Sequence, residues 1–103
     1  MNIAKMMKQA QQMQAQMQTV QAELAKRTYE ATAGGGAVKA VATGDGELQS
    51  LTLSPDLVKD AANDPEMLQD LIVTAIREAS AKAKTDAQKE MGKLTAGLGL
   101  PGF

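Results

Sequence analysis

The first 27 residues place the strongest constraint on how this chain can fold. Between Asn2 and about Lys26 the apolar residues recur at alternating steps of three and four: Ile3, Met6, Ala10, Met13, Met17, Val20 and Leu24. This spacing, without Gly or Pro, predicts one helix over residues 1–27, and its periodic segment from Asn2 to about Lys26 is roughly 36 Å long at about 1.5 Å per residue. Seven glutamines make its other faces polar but uncharged. So narrow an apolar seam needs another helix beside it, and it predicts a packing surface rather than a ligand groove.

Residues 28–53 predict a three-stranded antiparallel meander. The run 28–33 leads into three consecutive glycines at 34–36, which stop a helix and permit a turn. They do not match a phosphate-binding loop, because the GK[ST] ending is absent. The runs 37–43 and 47–53 are joined across Gly44-Asp45-Gly46, a strong hairpin signal. Leu51 and Leu53 alternate with polar residues, so the sheet has one apolar face to cover.

Two helix starts follow the meander. The order Ser54-Pro55-Asp56 predicts an N-cap and a short helix over 55–60. Asp64-Pro65-Glu66, with Asn63 as an alternative cap, predicts a second long helix over 65–94, with Gly92 as a weak point. The apolar stripe of this predicted helix has large residues near the start and alanines further along, which allows close approach by a neighbouring element. Residues 97–103 (GLGLPGF) predict a flexible tail, or else a strap that docks through Leu98, Leu100 and Phe103.

The composition excludes most enzyme classes and favours a single domain over 1–103. The chain has no Cys and no His, which removes thiol nucleophiles, Ser-His-Asp triads and Cys/His zinc sites. Asp56, Asp60 and Asp64 lack the alternating ligands of a calcium loop. We therefore expect no enzyme activity, no metal, no cofactor and no small-molecule substrate. No apolar run is long enough to cross a membrane, so a cytoplasmic location without membrane contact is expected.

The net charge of -1 conceals an uneven distribution along the chain. Residues 1–27 hold four basic residues and one acidic residue, residues 28–76 hold two and eight, and residues 77–103 hold five and three. Such asymmetry indicates an anionic partner for the two long helices. The candidate phosphate-binding residues are Lys5, Lys8, Lys26, Arg27, Arg77, Lys82, Lys84, Lys89 and Lys93.

A plain salt-bridge ladder is the alternative explanation for the basic residues of the second long helix. Glu78 precedes Lys82 by four residues and Glu90 precedes Lys93 by three, spacings that stabilise solvated helices. Lys5 and Lys8 differ, because no acidic residue lies within four positions of either. The ladder therefore leaves these two lysines unexplained, although solubility alone could account for a pair.

Five segments of the chain together resemble the YbaB/EbfC family of bacterial nucleoid-associated proteins. They are MMKQAQQMQAQMQ at 6–18, GGGAVKA at 34–40, LSPDLV at 53–58, PEMLQDLIVTAI at 65–76 and GLGLPG at 97–102. The resemblance implies an α+β fold in which a three-stranded sheet sits between two long helices. It also implies a homodimer with protruding helical arms that binds double-stranded DNA through both helices, at Lys5, Lys8 and the Arg77 to Lys93 set.

The sequence therefore predicts a non-enzymatic dimer that binds DNA with low sequence specificity and organises the bacterial chromosome, with an influence on transcription as a further expectation. Dimerisation also follows from the uncovered seam and sheet face, since a second copy would supply the missing surface. The residues expected in the dimer interface or the core are Met13, Met17, Val20, Leu24, Leu51 and Leu53. A dimeric coiled-coil holdase or scaffold of the prefoldin type, binding protein clients, is the alternative.

Overall fold

The structure, a computed structural model, describes residues 2–97. Its elements, in chain order, are α1 (Ile3–Lys26), β1 (Thr28–Ala33), β2 (Val38–Thr43), β3 (Leu48–Leu53), α2 (Pro55–Asp60), a 3-10 turn (Ala61–Asn63) and α3 (Pro65–Gly97). The strands form one antiparallel sheet in the order β1-β2-β3. The predicted α+β class is confirmed. Residues 98–103 of the predicted tail lie outside the described residues.

Polar side chains fix the start of each helix. Asn2, Ser54 and Asp64 each accept a hydrogen bond from the backbone N–H three residues on, at 3.1–3.2 Å. Asp64, rather than Asn63, is therefore the cap of α3. This helix runs through Gly92 and ends at Gly97, three residues later than predicted, and the Thr95 hydroxyl donates to the carbonyl oxygens of residues 91 and 92. Gly92 is thus not a break.

The helix α3 packs on β1 and β2 through small side chains. The core cluster consists of Ala31, Val38, Ala40, Ala42, Leu57, Ala75 and Ala79. Because most of these residues are alanines, the helix lies close to the sheet, and little apolar area is buried by each residue. The sequence has one Tyr, one Phe and no Trp, and this thin core is in keeping with that composition.

The third strand leaves part of the sheet's apolar face uncovered. Leu51 pairs with Ala40 and Leu48 with Ala42, which places both leucines on the face that α3 occupies. They remain 37% and 46% exposed because α3 packs mainly against the other two strands. Of the three leucines of β3, Leu53 is the one that packs against the core cluster. The strand β3 is also an edge strand, so its outer backbone groups have no ladder partner within the described chain.

A backbone contact fixes the C-terminal end of α1 to the β2–β3 turn. Leu24 is buried, and its carbonyl oxygen accepts a hydrogen bond from the Gly44 N–H at 2.9 Å. A Cβ atom at position 44 would lie 2.3 Å from that oxygen. Only glycine allows this approach, so position 44 determines how closely α1 can meet the sheet.

An ion-pair cluster joins the same end of α1 to α3. The Arg27 guanidinium lies 2.9 Å from an Asp86 carboxylate oxygen and 3.4 Å from a Glu90 oxygen. The Tyr29 hydroxyl donates a hydrogen bond to Asp86. That bond, together with the bond from Arg27, holds the pKa of Asp86 below its ordinary value, whereas partial burial raises the pKa of Tyr29. The cluster therefore stabilises the charged form of Asp86.

Replacing Gly44 with alanine should destabilise the protein by about 2–3 kcal/mol, because the added methyl group must push α1 away from the turn. Gly92→Ala is the matched control: a Cβ there meets no atom within 4 Å. The control should raise stability by up to about 1 kcal/mol through helix propensity. Urea unfolding followed by circular dichroism measures both changes, and equal stability of Gly44→Ala and wild type would contradict the contact.

Replacing Asp86 with asparagine should lower the thermal midpoint at pH 7, and should lower it less as the pH falls below 3.8. A carboxyl group whose pKa is lowered by folding stabilises the protein above its ordinary pKa of 3.8, and that contribution is lost as the pH falls through the lower folded value. Glu78→Gln, an exposed acid on the same helix, is the control and should show little change across this pH range. An Asp86→Asn difference that stays the same as the pH falls would show that its charge is not responsible.

Candidate nucleic-acid interface

The N-terminal half of α1 projects from the rest of the molecule. Every residue from Ile3 to Gln12 is exposed, and this segment is called the arm below. Further along the helix, Met13, Met17 and Val20 are half-buried and Leu24 is fully buried. The described chain is correspondingly elongated, with extents of 70 × 23 × 16 Å. Within residues 2–97, the seam predicted from the heptad spacing is thus covered toward its C-terminal end and exposed from Ile3 to Ala10.

The arm carries Lys5 and Lys8, and neither forms an ion pair within residues 2–97. At about 100° per residue, Lys8 lies on the face opposite the apolar seam and Lys5 lies to one side of it. Both ammonium groups are therefore directed into solvent, on a surface without acidic residues. An exposed pair of this kind is available to a phosphate group.

The basic residues of α3 divide between two sides of the helix. Lys82, Lys89 and Lys93 follow one line on the side of β1, where the Lys82 ammonium donates to the Glu30 carbonyl oxygen at 2.7 Å. Lys93 lies 3.5 Å from Glu90, as the ladder spacing predicts, but Lys82 bonds to β1 rather than to its expected partner in the helix. Lys89 makes no ion pair among the described residues.

Arg77 and Lys84 lie on the other side of α3, some 140–160° around the helix from Lys82. Lys84 borders a largely apolar cleft of about 580 Å³ between α1, the β2–β3 turn and α3, lined also by Gln21, Leu24, Ala87 and Met91. The five cations of α3 therefore do not form a single phosphate-binding stripe.

The two remaining candidates at the end of α1 differ from each other. Lys26 is exposed, with no ion pair in the part of the chain that the structure describes. Arg27 is bonded to Asp86 and Glu90, and these two bonds raise its pKa further above its ordinary value. Its guanidinium is thus already neutralised by neighbouring carboxylates. Arg27 holds α1 in place and is a poorer phosphate ligand than the free lysines.

Acidic residues gather at the end of the molecule away from the arm. Asp64, Glu66 and Asp70 lie together around the start of α3, about 40 Å along that helix from Lys93 at about 1.5 Å per residue. The acidic and basic residues that are separated along the sequence are therefore also separated in space.

Among residues 2–97 no group of His, Cys, Asp or Glu is arranged to hold a metal ion. The described helices also include none whose length and apolar character would let it span a membrane.

The contacts of Asp86 are the main feature that sequence reasoning missed. Asp86 is separated from Arg27 and Tyr29 by more than 50 residues, so no local spacing connects them. One signal was present: Asp86 and Glu90, at i and i+4, form an acidic pair on one face of an otherwise basic helix segment. Such a pair indicates a cation supplied by another element.

The chain is similar to known proteins over nearly its whole length. A model of the YbaB/EbfC DNA-binding family matches residues 1–98. A protein of Desulforamulus reducens named "Nucleoid-associated protein" is 52% identical over 102 residues, covering 99% of this chain and 95% of the relative. One of Pelotomaculum thermopropionicum with the same name is 50% identical, with the same coverage.

A solved structure shares the fold at low sequence identity. The crystal structure of an uncharacterized protein from Helicobacter pylori superimposes with a TM-score of 0.81 at 17% identity, covering 91% of this chain and 97% of that one. This likeness concerns the fold alone. The family match and the relatives of about 50% identity, taken together, show that this chain belongs to the YbaB/EbfC DNA-binding family, a family of nucleoid-associated proteins rather than of enzymes.

Proposed function

We propose that this protein binds double-stranded DNA with low sequence specificity, as a homodimer whose two arms reach the phosphate backbone. The observation that carries the proposal is the pair of lysines on the arm, Lys5 and Lys8, which are exposed and without carboxylate partners in the described chain. Lys26 and Lys89 are further cations of this kind. Arg27, Lys82 and Lys93 have partners within the protein and contribute less.

Low specificity follows from the kind of contact. Lysine ammonium groups attract phosphates without reading base edges, and each neutralised phosphate releases counterions. Stacking on single-stranded bases would require aromatic side chains, of which the chain has two in all. The arm is therefore suited to intact duplex DNA of any sequence, which it would hold by its backbone.

A second copy is proposed to cover the open part of the sheet. Leu48 and Leu51 lie exposed on the apolar face of an edge strand, and Val73, 44% exposed, is on the cleft side of α3. An exposed apolar strand of this kind is an association site unless it is covered. A two-fold pairing across this patch doubles the number of arms. It also leaves the β1 side of α3, with Lys89, free for DNA.

The relatives named nucleoid-associated proteins support a cellular role. We infer that this protein acts in the cytoplasm on the nucleoid, where a dimer with two arms would alter the conformation of DNA and organise the chromosome. An influence on transcription follows where promoters lie in the bound DNA. No sequence readout is needed for this role, in keeping with a site made of lysines.

The sharpest test is the salt dependence of binding to a plain duplex. We expect log affinity to fall against log salt with a slope of about -4 to -7, from roughly four to eight phosphates per dimer. Lys5→Gln with Lys8→Gln should make the slope less negative by about two to four, because a dimer loses four positive charges. Lys39→Gln with Lys59→Gln removes the same charge at residues outside the proposed site and should leave the slope unchanged. Fluorescence anisotropy at several salt concentrations measures all three proteins.

Three results would contradict the DNA proposal or its site. Absence of binding at low salt would reject DNA as the partner, and suppression of aggregation of a denatured client protein would then favour the holdase alternative. Equal slopes for the arm variant and wild type would remove the arm from the interface. Equal losses in the arm variant and the control would show that only total charge matters.

Replacing Leu51 with glutamate should convert the dimer to a monomer, because the new charge would be buried against the second copy. Ser50→Glu is the matched control on the same strand, since residue 50 pairs with Val41 on the opposite face of the sheet. Light scattering should give about twice the chain mass of 10.8 kDa for wild type and control, and one chain mass for Leu51→Glu. A dimer mass for all three would exclude this face as the interface.

A further inference from the structure

The arm carries an apolar stripe that is open to solvent within residues 2–97. Ile3 and Met6 are 71% and 52% exposed, and Ala10 is exposed as well. These three residues, called the outer seam, continue the a and d positions of the heptad that ends at the buried Leu24. At about 100° per residue they all fall within about 60° of Leu24 around the helix. The outer seam therefore has the spacing of a coiled coil and lies open to a second helix.

The positions that flank the outer seam carry no charge. With Ile3 at a and Met6 at d, Lys5 falls at c and Lys8 at f, which point away from the stripe. The flanking e and g positions as far as residue 21 hold Met7, Gln9, Gln14, Gln16 and Gln21. Charges at e and g select the partner of a coiled-coil helix, so their absence here removes repulsion between two copies of the same stripe. The outer seam is thus compatible with its own copy in another molecule.

We propose that the outer seam pairs in antiparallel orientation with the outer seam of another dimer, and that the paired arms bridge two DNA duplexes. The pairing itself needs no DNA, whereas the bridging rests on the function proposed above. In an antiparallel pair an a position of one helix lies opposite a d position of the other. Met6 then lies opposite the partner's Ala10, and Ile3 opposite the partner's Met13. A large side chain therefore meets a small one at the centre of the contact.

The attachment of α1 to its own chain selects the antiparallel orientation. Toward its C-terminal end α1 already contacts α3 and β2, and Met13, Met17 and Val20 are half-buried there. In a parallel pair, the α1 of the second copy would continue toward Leu24 along the part of the seam that these elements occupy. In an antiparallel pair only the exposed ends overlap, and the two sheets lie at opposite ends of the contact.

The size of the contact makes the pairing weak in dilute solution. Four apolar side chains from each arm, at about 100 Å² each, bury roughly 800 Å² in total. Stable interfaces between proteins begin at about 1,200 Å². Dimers held on neighbouring DNA have an effective concentration of the order of millimolar, which free dimers in dilute solution do not reach. The arms should therefore pair where DNA concentrates the protein and separate elsewhere.

Pairing through the seam leaves the cations of the arms on two opposite outer sides. Lys8 lies on the face opposite the seam in each arm, and Lys5 lies to one side of it. When the two seams face each other, the two Lys8 side chains therefore point in opposite directions. One duplex cannot lie against both of these sides. Paired arms would thus hold one duplex on each side, which is a bridge between two DNA segments.

Capture of a fluorescent short duplex by a duplex fixed on beads measures bridging. Met6→Gln with Ala10→Gln should lower the captured fluorescence at least about fivefold, because the link between dimers is lost. Its affinity for a single short duplex and its salt slope should match wild type, because Lys5 and Lys8 are unchanged. Ala4→Gln with Ala15→Gln is the matched control, since both positions are exposed on the side of α1 away from the seam. The control should capture as much duplex as wild type.

The other outcomes of the capture experiment overturn the proposal. Undiminished capture by the seam variant would show that bridging does not use the outer seam. Equal losses in the seam variant and the control would show that the stripe is not responsible. Weaker binding of the seam variant to a single duplex would place the outer seam in the DNA contact instead. If wild type binds one duplex but captures no second, bridging is rejected and DNA binding stands, whereas absence of binding to any duplex would contradict the function proposed above.

Disulfide trapping tests the pairing without DNA, because the chain has no cysteine of its own. In a concentrated mixture of Met6→Cys and Ala10→Cys proteins, the 6–10 product should exceed the 6–6 and 10–10 products at least about fivefold. Mass spectrometry separates the three products, because the two proteins differ in mass. A mixture of Ala4→Cys and Ala15→Cys proteins is the control and should give little product of any kind.

The trapped products also decide the orientation and the level of assembly. Dominant 6–6 and 10–10 products would indicate parallel arms, and yields no higher than those of the control would show that the seams do not meet. Light scattering of the oxidised mixture should give particles of more than two chains. A 6–10 bond confined to particles of two chains would place the contact within one dimer and overturn the proposed link between dimers.

Discussion

The attachment of α1 at one end determines the rest of the architecture. Leu24 is buried, and its carbonyl oxygen takes a hydrogen bond from Gly44, while Arg27 bonds to Asp86 and Glu90. The first contact joins α1 to the sheet, and the second joins it to α3. With that end held, a straight helix of 24 residues must project beyond the sheet. The exposed arm is thus a mechanical consequence of where the helix is held.

The small side chains of the core explain why a single chain leaves so much apolar surface exposed. Alanines in α3 meet alanines in β1 and β2, and this brings the helix near the sheet but buries little area per residue. Larger apolar residues, including Ile3, Met6, Leu48 and Leu51, remain exposed. The described chain therefore leaves exposed apolar surface that the proposed second copy would bury.

Local signals predicted the elements well because each has a local cause. Heptad spacing predicted α1, Asp-Gly predicted the β2–β3 hairpin, and Ser54 and Asp64 predicted caps that the structure shows. The candidate site was harder, because it depends on which charges are already paired. Arg27, Lys82 and Lys5 are all candidate phosphate-binding residues by sequence. In the structure, however, Arg27 and Lys82 are bonded to groups in distant elements. Chain separation concealed those partners, and only the packing of α1 and β1 against α3 reveals them.

The net charge of a molecule of this shape does not predict whether it attracts DNA. Electrostatic interactions between exposed groups are screened over about 8–10 Å at physiological salt. The acidic start of α3 lies several such lengths from the arm, so it scarcely reduces the attraction of Lys5 and Lys8 for a phosphate. It would instead repel DNA at the far end and so favour approach by the arm. A chain with a net charge of -1 can therefore present a cationic surface to DNA, provided that its cations and anions are separated by a rigid helix. The length of α1 and α3 is what makes that separation possible.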